Sequence, residues 1–214
     1  MIPVVGVAGK KNSGKTTLIE KLVKELRNRG YRIATVKHDV HGFEIDIPGK
    51  DTYRHREAGA RLTIISSPDK VALVEMREKE MDLEEILERF VEDVDLVITE
   101  GYKSHPIPKI EVYDGKEFLL KDDENLLCVV AERFDEMNVK VYSPDDTEKI
   151  ADLIEEEVIK KNPVPNLWLF INDRHVPLKD FIRTMFYEII RGMIKSLKKV
   201  GKPGKVVIKV WYGE

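Results

Sequence analysis

Gly9-Lys10-Lys11-Asn12-Ser13-Gly14-Lys15-Thr16 follows a short apolar run, Pro3 to Ala8, and precedes Leu18, Ile19, Leu22, Val23 and Leu26, which keep helical spacing up to Gly30. The order reads as strand, glycine-rich loop, amphipathic helix. The loop matches the phosphate-binding pattern G-x-x-x-x-G-K-S/T, the Walker A motif, and lies where that motif has to lie. Glycines let backbone N–H groups turn inward around phosphates, and the helix N-terminus adds a favourable dipole. Lys15 then reaches the β and γ phosphates, and the Thr16 hydroxyl binds magnesium.

Working outward, β-like runs follow at Arg32 to Lys37, Leu62 to Ser66, Val71 to Glu75, Asp95 to Thr99, Ile110 to Tyr113, Leu126 to Ala131 and Val139 to Tyr142. Helical patterns at Leu83 to Val91 and Thr147 to Lys160 each carry an acidic residue near their start, where the helix dipole favours it. Such alternation predicts an α/β fold, a mainly parallel P-loop NTPase sheet flanked by helices. Asn162-Pro163-Val164-Pro165-Asn166 reads as a linker, because two prolines stop the preceding helix. Residues 1–161 are expected to form the P-loop domain, and 167–214 a small basic β-α-β unit. That unit reads as a strand Trp168 to Ile171, a turn Asn172 to His175, a helix Leu178 to Leu197 and a strand Val206 to Trp211.

The chain has 214 residues, 42% hydrophobic and 35% charged, which excludes disordered and collagen-like classes. It contains no glutamine, a bias similar to that of proteins working at high temperature. The net charge of −3 hides an asymmetry, since residues 164–214 carry 10 Lys/Arg against 4 Asp/Glu. No apolar run approaches the roughly 20 residues that cross a bilayer, and the N-terminus lacks a signal-peptide pattern. A cytoplasmic protein is expected, with neither membrane nor nucleic acid as partner. The one cysteine, Cys128, lies in the run LLCVV and reads as core.

A triphosphate site needs carboxylates around its metal. Glu100 ends the run Val94 to Glu100 before Gly101, which is the Walker B position at the ligand-binding edge of a parallel sheet. Asp95 opens the same strand and reads as a strand-start cap. The stretch 37–52 is too long for a routine connection and is expected to close over the nucleotide. Within it, Asp46 in Asp-Ile-Pro-Gly resembles the D-x-x-G switch of GTPases, and Asp51 reads either as a magnesium ligand or as the cap of a short helix. His38 and His41 lack a third nitrogen or sulfur ligand and read as solvent-facing. Base reading falls to Asp135, just after the strand Leu126 to Ala131, where a carboxylate accepts hydrogen bonds from guanine N1 and N2; an exposed acidic turn is the alternative. Lys10 stands five residues before Lys15, the spacing of the lysine that some P-loop dimers extend into the partner's site. It reads either so or as a solvated loop lysine.

Together GKKNSGKTT at 9–17, Thr35-Val36-Lys37-His38-Asp39, DIPGKDTYRHREAGA at 46–60 and DLVITEGYK at 95–103 resemble the MobB family of P-loop GTPases in molybdopterin guanine dinucleotide biosynthesis. The resemblance covers about the first 160 residues. It implies GTP and Mg2+ binding, slow hydrolysis, a homodimer, and service to MobA, the enzyme that joins GMP to molybdopterin. By position it makes Gly14, Lys15, Thr16 and Thr17 phosphate and magnesium residues and Glu100 the Walker B acid. Asp51, Arg54 and Ala58-Gly59-Ala60 would face the nucleotide or the dimer, with molybdopterin or its guanine dinucleotide as a further ligand. Lys15, Glu100 and Asp51 are the expected catalytic residues. The alternatives are a metallochaperone GTPase and a small-molecule kinase acting on a pterin-like acceptor. Without glutamine, no Ras-type side chain orients the attacking water.

Overall fold

The computed structural model describes residues 2–134, 138–161, 167, 169–172, 174–176, 178–197 and 208. Its centre is a six-stranded sheet built from β1 (Val4–Ala8), β2 (Ile33–Lys37), β5 (Leu96–Glu100), β6 (Lys109–Val112), β7 (Leu126–Val130) and β8 (Val141–Tyr142). The spatial order is β2-β5-β1-β6-β7-β8 and every pairing is parallel. Strand β1 therefore lies inside, fully buried along its length. Its C-terminal end delivers the loop 9–14 to the sheet edge, between β5 and β6.

Period-2 alternation decides which helix each strand serves. Val5, Val7, Leu96, Ile98, Ile110, Val112, Cys128 and Val130 face one side, against Leu18, Ile19, Leu22 and Leu26 of α1 (Lys15–Asn28) and Ile150, Leu153 and Ile154 of α4 (Thr147–Ile154). Val4 and Val97 face the other, against Leu83 and Leu87 of α3 (Leu83–Phe90). Asp82 caps α3 by accepting from the Glu85 N–H at 2.7 Å. The helix predicted through Lys160 continues beyond α4 as one π-helical turn, Glu155–Ile159. Arg29, just past α1, bonds Glu25 (2.8 Å), Asp152 (2.6 Å) and Glu155 (3.2 Å), fastening α1 to that turn.

On β6, Lys109 and Glu111 are both 1% exposed. Lys109 Nζ meets Asp123 Oδ2 at 2.8 Å, and Glu111 accepts from the N–H groups of Leu119 (2.8 Å) and Leu120 (2.7 Å). Burial raises the Glu111 carboxyl above its usual range. Two buried charges on a central strand are tolerated because the loop 113–125 folds back and satisfies them.

Asp95 stands just before β5 and fulfils its expected capping part. It accepts from the Arg32 backbone N–H (2.8 Å), Nε (3.0 Å) and Nη2 (2.8 Å). Burial pushes its carboxyl up, but the Arg32 bonds outweigh this and hold it below the ordinary value. The group is thus more acidic folded than unfolded. Its contribution is present above pH ~4 and is lost as pH falls through the folded value. Asp95→Asn should cost about 1 kcal/mol at pH 7, and the difference in thermal midpoint should vanish in acid. A gap that widened below pH 4 would contradict the sign.

Cys128 is fully buried, and burial pushes its thiol up to about 12. The native protein should resist an aromatic disulfide reagent at pH 8 and react with one equivalent on unfolding. Rapid native reaction would show that β7 opens.

Two features differ from the sequence reading. Strands β3 (Leu62–Ser66) and β4 (Val71–Glu75) leave the main sheet and form a separate antiparallel hairpin after the helix α2 (Asp51–Glu57). Beyond the expected linker, which lies outside the described residues, a second hairpin pairs β9 (Leu169–Ile171) with β10 (Arg174–Val176). The chain reverses at Asn172, whose φ of 50° suits asparagine. The single strand and turn expected there are therefore corrected to a hairpin, which leads into α5 (Asp180–Ser196). Buried Arg183 of α5 reaches Asp93 at 3.1 Å, seating the helix beside the β5 entrance. The expected strand Val206 to Trp211 lies outside the described residues, Ile208 excepted.

Candidate functional site

Gly9 has a φ of 146°, and an added Cβ would lie 2.5 Å from the Val112 carbonyl oxygen. Only glycine lets the chain leave β1 so close to β6. Asn12 (φ 64°) and Gly14 (φ 98°) complete the turn, and Ser13 N–H donates to the Lys10 carbonyl at 3.2 Å. Helix α1 starts at Lys15 with no side-chain cap on its first N–H groups and no acid in its first turn. It presents uncapped donors and no competing carboxylate, the condition for holding an anion.

Lys15 Nζ donates to the Lys10 carbonyl at 2.6 Å, so its charge spans the mouth of the loop. The Ser13 hydroxyl is buried and has no protein partner. An orphan hydroxyl inside a phosphate-sized turn supports an oxyanion as the missing acceptor. Lys11, Asn12, Thr16 and Thr17 are exposed around this mouth.

Glu100 ends β5 with its side chain 17% exposed. Its Oε2 lies 3.4 Å from Thr16 Oγ1, and its Oε1 lies 3.5 Å from Lys37 Nζ at the end of β2. A hydroxyl and a carboxylate are hard oxygen donors that fit Mg2+. The structure thus brings Glu100, distant in sequence, to Thr16 beside Lys15. Lys37 is an addition: the motif Thr35 to Asp39 contains it, but only the register Lys37↔Glu100 pairs it with the acid. Gly101 (φ 98°) turns the chain away, packed so that a Cβ would sit 3.2 Å from that of His38.

Other expected residues stand apart. Asp46 accepts from Thr52 Oγ1 at 2.8 Å and lies 3.5 Å from Arg56, so it organises the turn before α2. Asp51 opens α2 on the exposed surface; Lys50 occupies the cap position, and no hydrogen bond joins Asp51 to Thr16 or Glu100. Asp135 lies outside the described residues. His38 pairs with Glu80, and its ring lies 5.0 Å from that of Tyr102. Among the described residues no group of three or more His, Cys, Asp or Glu is arranged to hold a metal ion, which leaves a metallochaperone reading without a donor set there. Lys10 pairs with Glu117 in the loop after β6, and that carboxylate raises the lysine above its usual value. No described helix is long and apolar enough to cross a membrane.

A family model described as molybdopterin guanine dinucleotide synthesis protein B matches residues 4–132. The molybdopterin-guanine dinucleotide biosynthesis adapter protein of Haemophilus influenzae is 35% identical over 157 residues, covering 72% of this chain and 88% of that protein. A putative adapter protein of the same description from Methanocaldococcus jannaschii is 28% identical and covers 97% of each chain. The archaeal relative thus shares residues that the shorter match leaves uncovered. A crystal structure of molybdopterin-guanine biosynthesis protein B superposes with a TM-score of 0.58 at 33% identity, over 72% of this chain and 97% of that one.

Proposed function

The chain belongs to the MobB family, and from that membership and the geometry of its loop we propose that it is a Mg2+-dependent GTP-binding protein with slow hydrolysis. It assists guanylylation of molybdopterin in molybdenum or tungsten cofactor biosynthesis, in the cytoplasm, as the adapter of a MobA-type guanylyltransferase. The observation that carries the reading is the uncapped loop 9–16, with the orphan Ser13 hydroxyl inside it and Lys15 across its mouth.

In that reading the first N–H groups of α1 and Lys15 hold the β and γ phosphates. Thr16 and Glu100 would hold Mg2+, which would supply positive charge against the phosphates. Glu100 holds the Thr16 hydroxyl beside the phosphates, and Lys37 balances Glu100 before the metal arrives. With no glutamine in the chain, hydrolysis rests on a carboxylate or on a partner's group, which supports a slow intrinsic rate.

The β3–β4 hairpin supports a homodimer. Leu62, Ile64, Ile65 and Val71 are 46%, 55%, 57% and 66% exposed, and an isolated two-stranded ribbon is barely stable in water. Face-to-face packing against a second copy would cover Leu62, Ile64 and Val71, which share one face.

The test is Mg2+-dependent binding and hydrolysis of GTP against ATP, with and without a MobA-type partner. GTP preference and a rate raised by the partner are expected. Equal affinity for both nucleotides, or transfer of phosphate to a pterin instead of water, would overturn it.

A further inference from the structure

Tyr113, Phe118 and Phe134 form an aromatic group that belongs to neither side of the hydrophobic core. Phe134 meets both partners edge-on, with ring centroids 5.0 Å apart and interplanar angles of 78° and 86°. Tyr113 follows β6 and Phe134 follows β7, so the group sits at the C-terminal edge of the sheet, where the phosphate loop emerges. All three rings are half-buried.

The position has a direction. Strand β1 has β5 on one side and β6 on the other. Thr16 and Glu100 mark the β5 side as the metal side, hence the γ-phosphate end of a bound triphosphate. The α-phosphate, ribose and base then extend toward β6 and β7, where the aromatic group stands. The loop carrying Phe118 is tied to the phosphate loop by the Lys10–Glu117 pair and to β6 through Glu111. Its rings are therefore held in register with the phosphates.

We propose that Tyr113, Phe118 and Phe134 are the platform that takes the purine ring of the nucleotide, a proposal resting on the triphosphate reading above. Stacking tolerates any purine, because every base has a π face, and supplies affinity instead of discrimination. Discrimination is left to hydrogen bonding, and Asp135, the expected guanine reader, is the next residue after Phe134.

The experiment titrates the full chain with Mg2+ and three probes, GTP, ATP and inorganic tripolyphosphate, by calorimetry. Phe134→Ala and Tyr113→Ala should weaken GTP and ATP alike, by about 10- to 100-fold, while tripolyphosphate changes less than twofold. Phe134→Tyr should keep the affinity and Phe134→Leu, similar in bulk but without a ring, should lose it. Circular-dichroism melting confirms that each variant is folded. Equal losses for all three probes would overturn the platform, as would unchanged GTP affinity. A wild-type chain that binds tripolyphosphate as tightly as GTP would overturn the platform alone. One that binds none of the three would overturn the phosphate-loop reading as well.

Discussion

Lys15→Ala should weaken GTP binding by about 1000-fold, equivalent to about 4 kcal/mol, while the melting temperature hardly moves. Lys15 makes one side-chain bond in the free protein, to the Lys10 carbonyl, and that carbonyl can turn to water once the lysine is gone. Folding therefore loses little. Binding loses the point charge between β and γ oxygens, and two nearby lysines are already engaged: Lys10 is paired with Glu117 and Lys37 with Glu100. Lys15→Arg should rescue poorly, since a planar guanidinium does not fit a turn built for a compact ammonium. Calorimetric titration with GTP and Mg2+ measures the effect, and a variant that still bound within tenfold of wild type would remove Lys15 from the site.

The second large effect is expected at Glu100. Glu100→Gln keeps the size of the side chain but removes the charge that orients Thr16 and would hold the metal, and it leaves Lys37 without its counter-ion. GDP affinity should stay within a few-fold, because the phosphate donors are untouched. Single-turnover hydrolysis should fall by about 100-fold, and the Mg2+ concentration for half-maximal rate should rise. The shift in metal dependence separates this role from a structural one. A Glu100→Gln chain hydrolysing GTP at the wild-type rate would return the residue to the scaffold.

Much of this site was legible in the chain because it is local. Gly9, Gly14 and Lys15 lie within seven residues, and the apolar spacing after them buries Leu18, Ile19, Leu22 and Leu26 as read. The place of Glu100 at the sheet edge beside Thr16 was legible because the acid ends a buried run before glycine. The parts that escaped are contacts between distant segments. Nothing near Lys37 says that it faces Glu100; register across two strands decides that. Alternation marks Leu62 to Ser66 and Val71 to Glu75 as strands but does not say which sheet they join, and the structure sets them apart. Arg174-His175-Val176 is too short and polar to announce a strand, so the turn read from the sequence runs on through His175. Lys109 and Glu111 have no pattern that foretells burial, because their partners arrive from the loop 113–125.

The interior place of β1 also governs the order in which this chain can be assembled. Its neighbours, β5 and β6, are made long after it, and among the described residues β2 pairs with β5 alone. As the chain emerges from a ribosome, the first strand has no strand to pair with until residues near 100 have been synthesised, and its β6 side stays open until residues near 112 follow. Helix α1 can form early from its own spacing, whereas the close approach of Gly9 to the Val112 carbonyl exists only once β6 is in place. The loop 9–14 is among the first segments synthesised, yet both strands that flank it come much later, so nascent chains released before β6 would be exposed to aggregation through an unpaired β1 edge.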